Sequence, residues 1–430
     1  MIGRALTILV VGWSLSGGLV SVASDRPTAN GTASVARIDG QANVGASGAE
    51  ARQLDLPAEP WRYSSDELPP HVAEVAARFD NTPPENPISD HGATLGRVLF
   101  YDRTLSINGT TSCASCHRQS VAFSDDRRRS VGFDGRELTR NSMSLINLRY
   151  YPDGRFFWDE RAGSLEEQVL MPIENELEMG HDLNELVTQL AGDPLYPPLF
   201  AAAFGDTEVT RERIARALAQ FIRSIVAFDS AYDRGRAEVA SVFDPFPHFT
   251  DEQNEGKRLF FGEARCASCH VSEVPVIGQQ TADRLLGSTT PDRQSAFFFI
   301  EGPVVNGIDI DQLPAIDSAS VDAAFVDPGA GGYSGEPDDY GRFKSPSLRC
   351  VEVTGPYMHD GRMITLESVV EHYNWSIRPH LNLDPRLQRL EAAGLAMPQW
   401  DVDAVVAFLK TLTDHSVLTD ERFSDPFVRP

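Results

Sequence analysis

The chain has 430 residues and carries 62 acidic against 38 basic side chains, a formal net charge of −24. That balance excludes sequence-independent binding to nucleic acid, whose phosphates need a basic face, and disfavours docking on an anionic membrane. With 41% apolar residues the chain can bury an ordinary core, so wholesale disorder is excluded, and its length suits two domains better than one.

In chain order, residues 1–23 read as a signal peptide. Arg4 precedes an apolar run from Ala5 to Val22, with a small-x-small cleavage site at Ser21-Val22-Ala23. Gly17 and Gly18 dilute the short run, so cleavage and a periplasmic location are expected, without stable membrane insertion. Residues 24–64 are rich in Ala, Gly and Ser and read as a flexible leader. Ser89-Asp90 is a helix cap ahead of Leu95-Gly96-Arg97-Val98-Leu99-Phe100-Tyr101, and Cys113-Ala-Ser-Cys116-His117 follows. Helical periodicity appears at 183–190 and 211–228, and Phe243–His248 is punctuated like a linker. Then the first pattern returns. Thr250–Gln253 is a capping box ahead of Gly256-Lys257-Arg258-Leu259-Phe260-Phe261, and Cys266-Ala-Ser-Cys269-His270 follows. Residues 271–345 read as long loops, 402–412 as a final helix, and 416–430 as an uninformative tail.

Both Cys-x-x-Cys-His segments have the spacing of c-type haem attachment. Two thiols three residues apart can add to the two vinyl groups of one porphyrin edge, and the adjacent His then supplies the proximal iron ligand. A vicinal disulfide or a zinc site are the alternatives. Zinc would need four Cys or His ligands converging, and an exported chain disfavours thiol redox chemistry. Haem therefore accounts for Cys113, Cys116, His117, Cys266, Cys269 and His270, and Cys350 is left alone. The expected fold is mostly α, two fused cytochrome c-like haem domains (65–248 and 249–415) with long loops and little β.

Further segments extend the pattern: Arg140-Asn141-Ser142, Phe156-Phe157-Trp158-Asp159, Leu165-Glu166-Glu167-Gln168, Glu178-Met179-Gly180, Ser347-Leu348-Arg349 and Thr354–Gly361. In this order, with two haem boxes, the chain resembles the bacterial diheme cytochrome c peroxidase family, including its MauG-like members, over roughly 85–415. The resemblance implies that the haem at His117 is the peroxide site and the haem at His270 relays electrons. It implies Gln168 and Glu178 as the distal pair, an amide to hold peroxide and a carboxylate for acid–base work. By residue type alone both also read as solvated helix residues. It implies Trp158 between the haems, a position a core aromatic would also fill. Asn141, Thr354 and Pro356 match the family's calcium site, with oxygen ligands suited to that ion.

Three positions depart from many peroxidases of the family. Phe133 stands where they carry a His that caps the peroxide haem, so an open site in the oxidised protein is expected. Tyr373 stands where they carry the Met that completes the second haem, as in MauG-like members; His372, Met358 and Met363 are the competing ligands. A phenolate favours ferric and higher states, where a thioether raises the potential. Cys350 stands where the family has Asn, and a buried free thiol is expected. MauG-like members also have an exit Trp just before the second box, where this chain has Ala264 with Phe260 and Phe261 nearest.

The function expected is an exported diheme peroxidase, reducing hydrogen peroxide with electrons from a small redox protein, a cytochrome c or cupredoxin. The alternative is a MauG-like enzyme that spends peroxide equivalents on side chains of a partner protein. A diheme electron carrier without catalysis is a third reading, disfavoured by Trp158, Gln168, Glu178 and Phe133.

Overall fold

The helix that precedes each haem box is made by its cap. Ser89 accepts from the Gly92 amide to start the helix Asp90–Tyr101, and Thr250 with Gln253 forms the capping box of Asp251–Phe261. Each then crosses a later helix of its own module, Arg211–Ser224 in the first case and Gln399–Lys410 in the second. A glycine makes each crossing close. A Cβ on Gly96 would lie 2.0 Å from the Ala217 carbonyl oxygen, and one on Gly256 would lie 1.8 Å from that of Ala404.

The computed structural model describes residues 52–64, 68–151, 154–270, 303–304, 327–388, 390 and 394–428. The proposed signal peptide, the leader up to residue 51 and most of the central loops lie outside them. The described residues are mostly helical, and their one sheet pairs Pro303–Val304 antiparallel with Phe343–Lys344. One principal apolar cluster gathers Leu99, Phe100, Phe123, Leu218 and Phe221; a second gathers Leu259, Phe260, Phe408 and Leu409.

Helix limits shift from the periodicity. The helix starting at Leu183 runs to Gly192, and the last one is Gln399–Lys410. The helix expected over 211–228 stops at Ser224, because Ile225 leaves helical geometry at φ −79°, ψ 87°. Ile225 and Ala227 stay buried but bond Asn147 instead, which an apolar pattern cannot distinguish from another helical turn.

The internal repeat runs deeper than the helices. Asn147 and Cys350 share the left-handed conformation φ 59°, ψ 21°, each starting a 3-10 turn. The amide of Asn147 donates to the Ile225 carbonyl at 3.0 Å, and that of Cys350 to the Leu412 carbonyl at 3.1 Å. Each acceptor lies just past the later helix of the crossing pair in its module, Arg211–Ser224 or Gln399–Lys410. The bridges Phe156↔Ala162 and Tyr357↔Met363 close matching turns, with Phe157 and Met358 at φ 71° and 72°. In this register Trp158 corresponds to His359, and Asn141 to Lys344.

The end of the leader, expected to be flexible, and the tail, read as uninformative, are both docked. Within the leader, residues 52–64 do not run free: Tyr63 is buried in the first cluster, with Leu54, Leu56 and Trp61 packed on it. The tail crosses back from the second module to the first, where Val417, Phe423 and Phe427 join the same cluster. Tyr101 donates to the Phe423 carbonyl and Tyr63 to that of Arg422, each at 2.6 Å. Leu54 pairs with Phe427. Scattered apolar residues in extended chain have no period to read, yet Tyr63, Val417, Phe423 and Phe427 are buried and Leu54, Leu56 and Trp61 partly so.

The repeat generates a stability prediction. Asn147 holds Ala227 at both ends, its Oδ1 accepting from the backbone amide at 2.9 Å and its Nδ2 donating to the carbonyl at 3.3 Å. Cys350 offers Asp414 only a thiol, 3.9 Å from the carbonyl oxygen. Asn also tolerates a left-handed backbone better than Cys. Cys350→Asn is expected to stabilise the holoprotein by about 0.5–1.5 kcal/mol, read as a raised Tm in calorimetry.

Candidate active site

The first haem box is one helical turn. Ser112 and Ser115 cap Cys113–Cys116 reciprocally, which presents both thiols from a single turn, and His117 closes it. His117 Nδ1 donates to the Phe123 carbonyl at 2.9 Å, which fixes the tautomer and leaves Nε2 as the lone-pair nitrogen. Burial lowers its pKa and keeps the imidazole neutral. Burial pushes the Cys113 thiol up to about 12 and Cys116 to about 11. Groups held as thiols are poor redox nucleophiles. No disulfide joins any of the five cysteines, and among the described residues no group of three or more His, Cys, Asp and Glu side chains is placed to share a metal ion.

Beside His117 opens a cavity of about 650 Å³, lined among others by Trp158, Arg161, Gln168, Pro172 and Glu178. That volume is in the range of cofactor pockets. A narrow adjoining cleft reaches Cys113 and Cys116 while His117, Gln168 and Glu178 remain in its wall. Two thiols at one edge and an imidazole beside one space are what a covalently attached haem requires, so the residues fit that group, and Gln168 and Glu178 line the same space.

Local structure explains how Gln168 and Glu178 reach this cavity. Ser164 accepts from the Glu167 amide and starts the short helix Leu165–Gln168. Glu178 sits in a tight turn, its amide donating to Asn175, while the Phe133 amide donates to its carbonyl at 2.9 Å. Gly132 permits that approach, since a Cβ there would lie 1.6 Å from the Leu177 carbonyl oxygen. Burial raises the Glu178 pKa, opposed by the charge of Arg161. Arg161 stands 3.6 Å over the Phe157 ring and pairs with Asp159 at 2.8 Å. The Phe133 ring packs on Gly180 and is absent from the cavity lining.

The second box, with Cys266, Cys269 and His270, faces another cavity, lined also by Tyr373 and Met358. His372 and Met363 do not line it. Burial lowers the His270 pKa to about 4 and pushes the Cys266 thiol up to about 12. The Pro346 carbonyl lies beside His270 as that of Met143 lies beside His117, another pair in the repeat. Asn141, Thr354 and Pro356 come together in this lining, as does the buried Ala264. Asn141 Nδ2 donates to the carbonyls of Arg127 and Arg128 at 3.2 and 3.3 Å, which leaves Oδ1 for a cation.

The repeat also relates the two cavities. Thr365 starts the helix Leu366–Trp375 as Ser164 starts Leu165–Gln168. Four residues past each cap stand Val369 and Gln168; eight past stand Tyr373 and Pro172, and all four line their cavities. The first module thus has an amide and a proline, which cannot bind iron, where the second has an apolar residue and a phenol.

Both cavities share Asn141, Met143, Ser144, Trp158, Lys344 and His359 in their linings. Trp158 Nε1 donates to the Asn141 carbonyl at 2.8 Å. Its ring meets His359 edge-on at 6.4 Å, and His359 stacks on Phe343 at 3.8 Å. Sequence reasoning missed Lys344 and His359 as members of this wall. Their signal is positional, since they occupy in the second repeat the places of Asn141 and Trp158.

Fold and sites define a diheme c-type oxidoreductase. The family described as di-haem cytochrome c peroxidase matches residues 90–239. The methylamine utilization protein MauG of Methylorubrum extorquens is 31% identical over 367 residues, covering 85% of this chain and 87% of that protein. Cytochrome c551 peroxidase of Nitrosomonas europaea is 31% identical over 323 residues, covering 75% of this chain and 79% of its own length. The crystal structure of a MauG-like protein associated with microbial copper homeostasis aligns at a TM-score of 0.64 and 31% identity, covering 85% of this chain and 99% of that one. The chain belongs to the diheme cytochrome c peroxidase and MauG family, and it is an oxidoreductase acting on peroxide.

The Gly132 contact yields a test of geometry. Gly132→Val must displace the Leu177–Glu178 backbone, so the peroxide reaction is expected to slow at least tenfold with haem content unchanged. Stopped-flow rates beside a haemochrome assay measure both.

Proposed function

We propose an exported peroxidase that reduces hydrogen peroxide at the haem of the first box, with electrons relayed through the haem of the second. The observation that carries this reading is a single cavity walled by His117, Gln168 and Glu178, whose inner side is shared with the second cavity. Residues 1–23 would be removed on export, so that the mature protein works in the periplasm. The chain then acts as two haem domains, 65–248 and 249–415. With a net charge of −24, its donor is a small cytochrome c or cupredoxin presenting a basic face.

Haem at these boxes would supply the redox-active iron that reacts with peroxide. Cys113 and Cys116 would anchor one haem and Cys266 and Cys269 the other, with His117 and His270 as proximal ligands. Gln168 holds the peroxide by its amide. Glu178 takes a proton from one peroxide oxygen and returns it to the leaving one. Trp158 lies in the shared wall and bridges the electron path. Tyr373, which lines the second cavity, would supply a phenolate to hold the second haem. Calcium would take the oxygens of Asn141, Thr354 and Pro356; neutral oxygens suit that hard cation.

A second reading, oxidation of a partner protein's side chains, is favoured by Tyr373 in the second cavity. The buried Ala264 supplies no exit aromatic in its place. Consumption of peroxide with reduced cytochrome c as the donor supports the first reading; peroxide-driven modification of a partner without such turnover supports the second.

Glu178→Gln is expected to slow the reaction with peroxide by roughly 10²–10⁴-fold. The wild-type rate should fall as pH drops through the Glu178 pKa, because only the ionised carboxylate accepts a proton. Burial raises that pKa, so the fall begins above the range of an ordinary carboxylate, about 4.3. The variant should lack this limb of the pH–rate profile. For the haems, ferric EPR should show one high-spin and one low-spin centre, and Tyr373→Met should raise the potential of the low-spin one in a spectroelectrochemical titration.

A further inference from the structure

A buried cluster behind the peroxide cavity takes no part in the chemistry described so far. Tyr151, Glu160 and Lys344 are all under 7% exposed. The Tyr151 hydroxyl donates to Glu160 Oε1. Lys344 Nζ stands 4.1 Å over the Tyr151 ring and 3.5 Å from Met143 Sδ, and the Lys344 amide donates to the Trp158 carbonyl at 2.7 Å. Tyr151 packs at 6.3 Å on Phe156, and both Phe156 and Lys344 line the peroxide cavity. The phenol is thus one side chain away from where oxidising equivalents arise.

Packing alone does not call for this arrangement. A buried tyrosine needs an acceptor, and Tyr63 and Tyr101 satisfy that need with backbone carbonyls. Tyr196 does meet a carboxylate, Asp102, but that group is also paired with Arg52, and neither lines the cavities.

We propose that Tyr151 is a redox-active side chain, giving an electron to the peroxide-oxidised site while its phenolic proton passes to Glu160. The inference rests on the peroxide chemistry proposed above. The Tyr151 O–H bond breaks and an O–H bond forms at Glu160 Oε1. The electron reduces the centre that peroxide has oxidised, and a neutral tyrosyl radical remains. An electron from the external donor, with the proton returned by Glu160, restores the phenol.

Two features suit this coupling. The ammonium over the ring makes a ring cation costly, so the electron leaves only together with the proton. Burial raises Glu160 to about 7, opposed by Lys344 and assisted by Asp339, and a proton acceptor works best with a pKa near the working pH. Arg155 reaches the Glu160 carbonyl and leaves the carboxylate to Tyr151. The cluster stores one oxidising equivalent inside the protein when the donor is scarce.

The test is freeze-quench EPR of the holoprotein mixed with hydrogen peroxide without donor, with stopped-flow haem spectra recorded in parallel. A tyrosyl signal is expected whose hyperfine structure collapses when the protein carries ring-deuterated tyrosine. It should be absent from Tyr151→Phe and from Glu160→Gln, which keeps an acceptor for the hydroxyl but cannot take the proton, and present in Tyr196→Phe. Persistence of the signal in Tyr151→Phe overturns the inference, as does a haem response to peroxide with no tyrosyl signal. Absence of any haem response removes the peroxide reading and this inference with it.

Discussion

The structure turns on two reciprocal backbone hydrogen bonds at the centre of the repeat. The Asn141 amide donates to the His359 carbonyl and the Lys344 amide to the Trp158 carbonyl, each at 2.7 Å. Each bond ties one module to the turn of the other, so the wall between the cavities is fixed from both sides. Being main-chain bonds, they tolerate the divergence of the side chains they carry. Arg140 reinforces the wall by pairing with Asp159 and Asp327, each at 2.7 Å. Such a pair is a poor source of net stability but a good source of fixed geometry.

From that constraint follows a division of labour. Duplicated backbone presents unlike residues at like places: Gln168 against Val369, Pro172 against Tyr373, Trp158 against His359. One module keeps a polar cavity with an acid at its edge, and the other an apolar cavity with a phenol and a thioether in reach.

Much of this was legible in the chain, and the reasons are local. Ser89, Thr250 and the Cys-x-x-Cys-His boxes act within four residues, and their chemistry permits few substitutes. The glycines at 96 and 256 were visible as part of a repeat, although their purpose, a carbonyl within contact of the missing Cβ, was not. The docking of 52–64 and 416–428 was not legible, because extended segments contribute single apolar anchors such as Tyr63 and Phe423 without periodicity. The deeper repeat was hidden where chemistry changed on a conserved backbone: Asn147 and Cys350 share φ and ψ but no side-chain function. No sequence pattern singles out Glu160. Its burial follows from the long-range contact with Tyr151, which no local pattern announces.

The claim that the two haem pockets form one redox unit through their shared wall is tested most directly by inter-haem electron transfer. One electron is delivered to the ferric holoprotein by pulse radiolysis, and its equilibration between the two haems is followed optically in wild type and in Trp158→Phe. The account predicts that the substitution slows equilibration at least tenfold while the EPR signatures of both haems stay as they were. Equal rates in the two proteins would contradict it.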